Sequence, residues 1–139
     1  MKTMIVNWKG DMAFEADPES GQKFVMDAYP ESGGHNLGPT PFELFEASIG
    51  TCSAMDVISI LKKKQQKITS YRIEIEGERT PEGVYPRPFT SLKVTHYFAG
   101  ENLDPEAVKR AVALSDEKYC SVIATLREGP EVTSEWVIE

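Results

Sequence analysis

Apolar and polar residues alternate over two stretches of this 139-residue chain, Tyr71–Glu76 and Leu92–Phe98, the second placing Leu92, Val94, His96 and Phe98 on one face. Alternation turns successive side chains to opposite sides of an extended backbone, so each stretch is expected to be a strand with one buried face. The proline-rich segment from Thr80 to Pro88 joins them as an extended hairpin connection, because proline cannot donate to a central ladder. Upstream, Met4–Trp8 and Met12–Ala16 flank the turn signal Lys9-Gly10-Asp11, and Lys23–Ala28 follows Asp17-Pro-Glu-Ser-Gly21. A small antiparallel meander is predicted. The Gly- and Pro-rich run Tyr29–Pro39 lacks the GKS/T ending of a phosphate-binding loop and reads as a connector or pocket wall.

Between these regions the period changes. Phe45, Ile49, Met55, Ile58 and Leu61 fall near helical spacing, predicting a helix from Phe42 to about Lys64. Thr40 is its N-cap, Pro41 suits the first helical position, and Glu43 completes a T-x-x-E capping box. Gly50 lies inside it; a mid-helix glycine costs about 1 kcal/mol against alanine, so close packing or a kink is expected there. A second helix opens with Asp104 as N-cap and Pro105 in the first turn, turning Val108, Ala111, Val112 and Leu114 inward. Ser115 is expected to cap a third, shorter helix containing Cys120, Gly129-Pro130 to stop it, and Val132–Ile138 to form a terminal strand. The order β-β-β-α-β-β-α-α-β makes an α+β fold, one domain over residues 1–139. The long helix is apolar over more than one stripe and would bury better between two sheets or two subunits, which predicts a dimer.

Charge removes several functions. The chain carries 22 acidic against 15 basic side chains, a net charge of -7, which repels phosphate backbones and makes nucleic acid an unlikely partner. The cluster Lys62-Lys63-Lys64 with Lys67 complements the C-terminal dipole of the long helix. The start lacks a basic region followed by an apolar one, and no apolar run approaches the roughly 20 residues needed to cross a bilayer. A soluble, cytoplasmic protein without membrane contact is expected. In that reducing compartment a thiol pair stays reduced unless a catalytic cycle oxidises it.

Chemistry narrows to two cysteines, Cys52 and Cys120, and two histidines, His35 and His96. Neither CxxC nor HExxH spacing occurs, so no metal site is expected, and hydrolase chemistry lacks a GxSxG elbow. His35 lies in the glycine-rich loop and is a candidate for the border of a pocket, while His96 on an inward strand face reads as a satisfied core histidine. Each cysteine taken alone is either a small buried hydrophobe or a nucleophile. A nearby helix start would favour the Cys120 thiolate. Asp56, four residues beyond Cys52, would oppose a thiolate there.

The stretch Gly33-Gly-His-Asn-Leu-Gly-Pro-Thr-Pro-Phe-Glu-Leu44, followed by Ala47-Ser-Ile-Gly-Thr-Cys-Ser-Ala-Met-Asp-Val57 and later Leu114-Ser-Asp-Glu-Lys-Tyr-Cys-Ser-Val122, resembles the OsmC/Ohr family, the osmotically inducible protein C and organic hydroperoxide resistance proteins. The element order is similar over essentially the whole chain. The resemblance implies an intertwined homodimer with two interface sites that reduce organic hydroperoxides at the expense of a small or protein dithiol. Carried over by position, Cys52 attacks the peroxide and Cys120 resolves the product to a disulfide, with no cofactor, and Phe42, Phe45 and Ile49 contribute an apolar pocket. Peroxidase members resembling this chain pair the attacking thiol with an N-terminal arginine and a glutamate opening the long helix. Here no arginine precedes Arg72, which leaves Arg79 or Arg87 as candidate replacements. Glu43 is the candidate glutamate, one residue after the matching position Phe42 and, nine residues before Cys52, about 180° around a straight helix from it. The alternative reading is a non-catalytic thiol redox sensor or apolar-ligand-binding protein on the same scaffold. A third is a structural dimer whose thiols only pack.

Overall fold

The computed structural model describes residues 3–139. Contacts gather into two compact units, one ending at Ala47 and one starting at Ser48. In the first, β1 (Ile5–Gly10), β2 (Ala13–Asp17) and β3 (Phe24–Met26) form an antiparallel sheet in the order β1-β2-β3. Trp8 pairs with Phe14, and Phe14 with Met26, so the predicted meander forms. Asp27, just past β3, is buried. Its carboxylate accepts the backbone N–H groups of Ala28 at 2.8 Å, His35 at 3.0 Å and Leu37 at 3.2 Å. The glycine-rich loop thus closes around one acid, and the His35 N–H, ahead of those of Ala28 and Leu37, holds that carboxyl below its ordinary range against the opposing effect of burial.

The helix α1 (Pro41–Lys63) starts with the predicted reciprocal cap: the Glu43 N–H donates to Thr40 Oγ1 at 3.2 Å, and the Thr40 N–H donates to Glu43 Oε1 at 2.9 Å. Lys62 and Lys63 occupy its last turn, where they complement the helix dipole. By length and composition alone α1 is apolar enough to cross a membrane, with a mean hydropathy of 1.4 over its most apolar window. This departs from the expected absence of any such run, and 28% of that window is buried inside the protein. In the second unit, Val57 and Leu61 of α1 are fully buried against Ala107 and Ala111 of α2 (Pro105–Leu114), and Asp104 caps α2 by accepting the Glu106 N–H.

Below the helices lies a long antiparallel hairpin, β4 (Lys67–Arg79) with β5 (Phe89–Glu101). Its register sets Tyr71 opposite Phe98, Ile73 opposite His96 and Ile75 opposite Val94, all half-buried, so the alternating face is the one expected. Both strands run beyond the alternating stretches because the ladder continues wherever backbone groups pair, whatever the side-chain pattern. Tyr71 and Phe98 stack with ring centroids 4.4 Å apart. Gly50 of α1 faces this sheet: a β-carbon there would lie 2.6 Å from Ile75 Cδ1 and 2.9 Å from Ile73 Cδ1. Close packing is therefore its role.

Two expected elements differ. Val132–Ile138 is irregular, with Val132 81% and Ile138 84% exposed. A strand needs a neighbour to complete its hydrogen bonds, and among the described residues no strand pairs with this segment. The third helix, α3 (Ser121–Glu128), begins after Cys120, while Ser115–Tyr119 forms a wider turn closed by the Cys120 N–H on the Ser115 carbonyl at 2.9 Å. Ser115 therefore does not cap the start of α3; it is the C-terminal cap of α2, its N–H donating to the Ala111 and Val112 carbonyls. Cys120 itself is extended, with φ −73 and ψ 106.

Candidate functional site

The two cysteines, 68 positions apart in sequence, are neighbours within the second unit: Cys120 lies close enough to Cys52 for the Cys52 side chain to act on its thiol. They are not equivalent. Cys120 is 3% exposed, whereas Cys52 is half-buried, and neither is in a disulfide. Burial pushes the Cys120 thiol up. The N–H groups of Ile123 and Val122 at the start of α3 pull the other way, but the adjoining Cys52 adds to the rise. The expected helix-start activation of Cys120 is thus outweighed by desolvation. Cys52 is the more exposed residue of the two, and burial favours the protonated form of Cys120.

A hydroxyl network underlies the pair. Ser53, next to Cys52, and Ser115 are both buried, with Oγ atoms 3.0 Å apart. The Ser115 hydroxyl also lies 3.2 Å from the Ser53 carbonyl and 3.2 Å from Asp56 Oδ2. Asp56, expected to oppose a thiolate at Cys52, is thereby drawn into a bond with Ser115.

Beside the thiols is a cavity of about 410 Å³ with apolar walls from Ile49, Leu92, Val94 and Ile123 and polar groups from His96, Asp116 and Arg127. Neither cysteine lines it. Its links to them are Ile49, one helical turn before Cys52, and Ile123, whose N–H faces Cys120. The Arg127 guanidinium donates to the Asp116 carbonyl at 3.0 Å and to its carboxylate at 3.1 Å. Arg127 went unnoticed in the sequence because the guanidinium was sought ahead of α1, and its position in the last turn of α3 marks it only as a dipole-complementing cation.

His96 meets the Tyr71 hydroxyl at 2.5 Å through Nδ1, as expected of a satisfied core histidine. Burial lowers its pKa below 6.5, with Asp116 opposing, and burial raises Tyr71 to about 12. Because the unfolded chain takes up a proton at His96 before the folded one does, its contribution is intact above about 6.5 and falls as pH drops through the lowered folded value. Urea unfolding at pH 7 and pH 5 should show lower stability at pH 5, and His96→Phe should flatten that slope. An unchanged slope in the variant would count against this assignment.

The remaining candidates have partners of their own. Glu43 is held in its capping box, and the Thr40 backbone N–H, with the Thr40 side chain next, lowers its pKa. Arg79 donates through Nε to the Arg87 carbonyl at 2.9 Å, and Arg87 to the Thr80 carbonyl at 2.8 Å, so both guanidinium groups tie the hairpin connection. His35 is not a pocket residue: it is exposed and its Nε2 meets Asp11 Oδ2 at 2.8 Å. Phe42 and Phe45 pack edge to face at 6.0 Å within the first unit, and of the three expected pocket residues Ile49 lines the cavity. Among the described residues no group of His, Cys, Asp and Glu is placed to hold a metal ion.

Comparison with known proteins agrees with this geometry. Protein YhfA of Escherichia coli strain K12 is 35% identical over 133 residues, covering 96% of this chain and 95% of that protein. The crystal structure of a hypothetical protein from Aquifex aeolicus VF5, 29% identical, superposes with a TM-score of 0.77 over 93% of this chain and 89% of that one. An organic hydroperoxide resistance protein from Elizabethkingia anophelis shares the fold at 14% identity, with a TM-score of 0.65 over 93% and 91% of the two chains. The sequence profile described as OsmC-like protein matches residues 34–135. With both cysteine segments inside that match, the chain belongs to the OsmC-like protein family.

Proposed function

We propose that this protein reduces organic hydroperoxides in the cytoplasm by a thiol cycle. The Cys52 thiolate attacks the O–O bond, the alkoxide leaves and takes a proton to become the alcohol, and Cys52 becomes a sulfenic acid. Cys120 displaces water from that sulfur to form the disulfide, and a dithiol reduces it by exchange. The observation that carries this reading is the closeness of a half-exposed thiol to a buried one. The organic hydroperoxide resistance neighbour and the cavity walled by Ile49, Leu92, Val94 and Ile123 together with polar groups add support. A homodimer fits the exposed apolar side chains, Trp8 at 66% and Trp136 at 81% among them.

A second reading is favoured by one observation. Glu43, Arg79 and Arg87 are all engaged by backbone groups, so none is an evident activator of Cys52, and a sensor oxidised once without turnover needs none. Cumene hydroperoxide and hydrogen peroxide, each supplied with dithiothreitol, separate the two. Sustained consumption that prefers cumene hydroperoxide supports the enzyme. A single stoichiometric loss of thiols supports the sensor, and inert thiols exclude both.

A further inference from the structure

Ser115 occupies a place that neither cysteine motif explains. Its side chain, wholly buried, reaches α1 at the residue next to Cys52, and its carbonyl accepts the Cys120 N–H at 2.9 Å. One residue therefore connects the element bearing the first thiol to the backbone of the second. We propose that Ser115 is a positioning residue that sets Cys120 within bonding reach of Cys52, an inference that rests on the disulfide step of the proposed cycle.

The hydroxyl inventory makes this geometry specific. Ser115 has one proton, which it gives to Asp56 Oδ2 or to the Ser53 carbonyl, while the Ser53 hydroxyl donates to Ser115 Oγ at 3.0 Å. Donor and acceptor capacity are thus both used, in a site closed to water, where such bonds are directional and costly to leave unmade. The wide turn Ser115–Tyr119 matters for the same reason. Its i to i+5 closure carries the chain through an extra residue before Cys120 and α3, and such turns are irregular enough to need an anchor. Ser115 anchors its first residue to α1 and, through its carbonyl, closes its last bond. Asp56 supplies the carboxyl end of the anchor.

The consequence is kinetic and redox in kind. Losing the hydroxyl frees the turn, so Cys120 meets the Cys52 sulfenic acid less often, while the attack on peroxide, which uses Cys52 alone, is unaffected. The full-length protein equilibrated with reduced and oxidised glutathione reports the effective concentration of the pair without any peroxide. Ser115→Ala is expected to lower it roughly tenfold, the loss of one buried hydrogen bond, which is about 30 mV in disulfide potential. After one equivalent of cumene hydroperoxide, the variant should also yield more dimedone-trapped sulfenic acid, with an unchanged rate of first oxidation. If Ser115→Ala does not fold by circular dichroism, Ser53→Ala, which leaves Ser115 its Asp56 and carbonyl partners, is measured instead and should lower the value roughly threefold. A folded variant with the wild-type effective concentration overturns the inference. Wild type that forms the disulfide with glutathione but ignores hydroperoxide overturns the proposed function, and the glutathione comparison still decides Ser115. Wild type that forms no disulfide with glutathione overturns both.

Discussion

On the proposed cycle, Cys52→Ser is expected to abolish hydroperoxide consumption, by on the order of a thousandfold or more, whereas Cys120→Ser should keep the first oxidation and lose the cycle. The asymmetry follows from what each sulfur can do. Only a thiolate attacks the peroxide oxygen, and a serine hydroxyl at neutral pH is neither ionised nor soft enough to replace it. Cys52 is the half-buried member of the pair, while Cys120 is 3% exposed and pushed toward its protonated form by burial. A buried protonated thiol is poorly placed to meet peroxide. It is well placed to meet a sulfenic acid formed beside it. Stopped-flow oxidation with excess cumene hydroperoxide checks this: Cys120→Ser should consume one equivalent and then stall, trapping with dimedone at Cys52, and with more peroxide should proceed to sulfinic acid. Equal loss of the first oxidation in both variants would mean that the thiols act as one unit from the start. A Cys52→Ser variant that still turned over would remove Cys52 from the chemistry altogether.

The sequence made the frame of the molecule legible wherever a local signal sufficed. Thr40 and Glu43 specify their reciprocal cap within four residues, and the alternation on Leu92, Val94, His96 and Phe98 names the buried face of β5 before any pairing is known. Gly50 could be read as a packing position because a mid-helix glycine otherwise only weakens α1. What failed were two features set by a distant partner. Val132–Ile138 has the pattern of a strand, but a pattern specifies a face and cannot supply the neighbouring ladder. The Ser115 signal was mistaken for an N-cap because serine favours helix starts, and its true partners, Ser53 and Asp56, lie 62 and 59 residues away. The same limit applies to the site. Spacing named the two thiols as a separated pair, the family resemblance joined them, and their unequal burial came from the turn that precedes Cys120 and the elements packed around it.

The largest effect on stability is expected from one added methyl group at Gly34. A β-carbon there would fall 1.8 Å from the Ala28 carbonyl oxygen and 2.4 Å from its carbon, and these are backbone atoms that no rotamer change can move aside. At Gly50, by contrast, the obstructing atoms are the ends of isoleucine side chains, which can yield. Gly34→Ala must therefore displace the loop itself, and the residue it displaces first is His35, whose N–H is the leading partner of the buried Asp27 carboxylate. Overpacking against backbone costs about 3 kcal/mol or more, which for a chain of this size lowers the melting temperature by roughly 10 °C. The loss has a pH signature. Asp27 in the wild type contributes stability that is present above about 3.8 and disappears as pH falls through its lowered folded value. Pulling the His35 N–H away lets that carboxyl return toward its ordinary range, so the gap between variant and wild type should narrow in acid. Gly21→Asn provides the comparison: its β-carbon would meet nothing within 4 Å, and its φ of +81 is one that asparagine tolerates. Thermal unfolding should leave Gly21→Asn near wild type and Gly34→Ala far below it. Equal melting temperatures would show that the loop around Asp27 closes less tightly than these distances require.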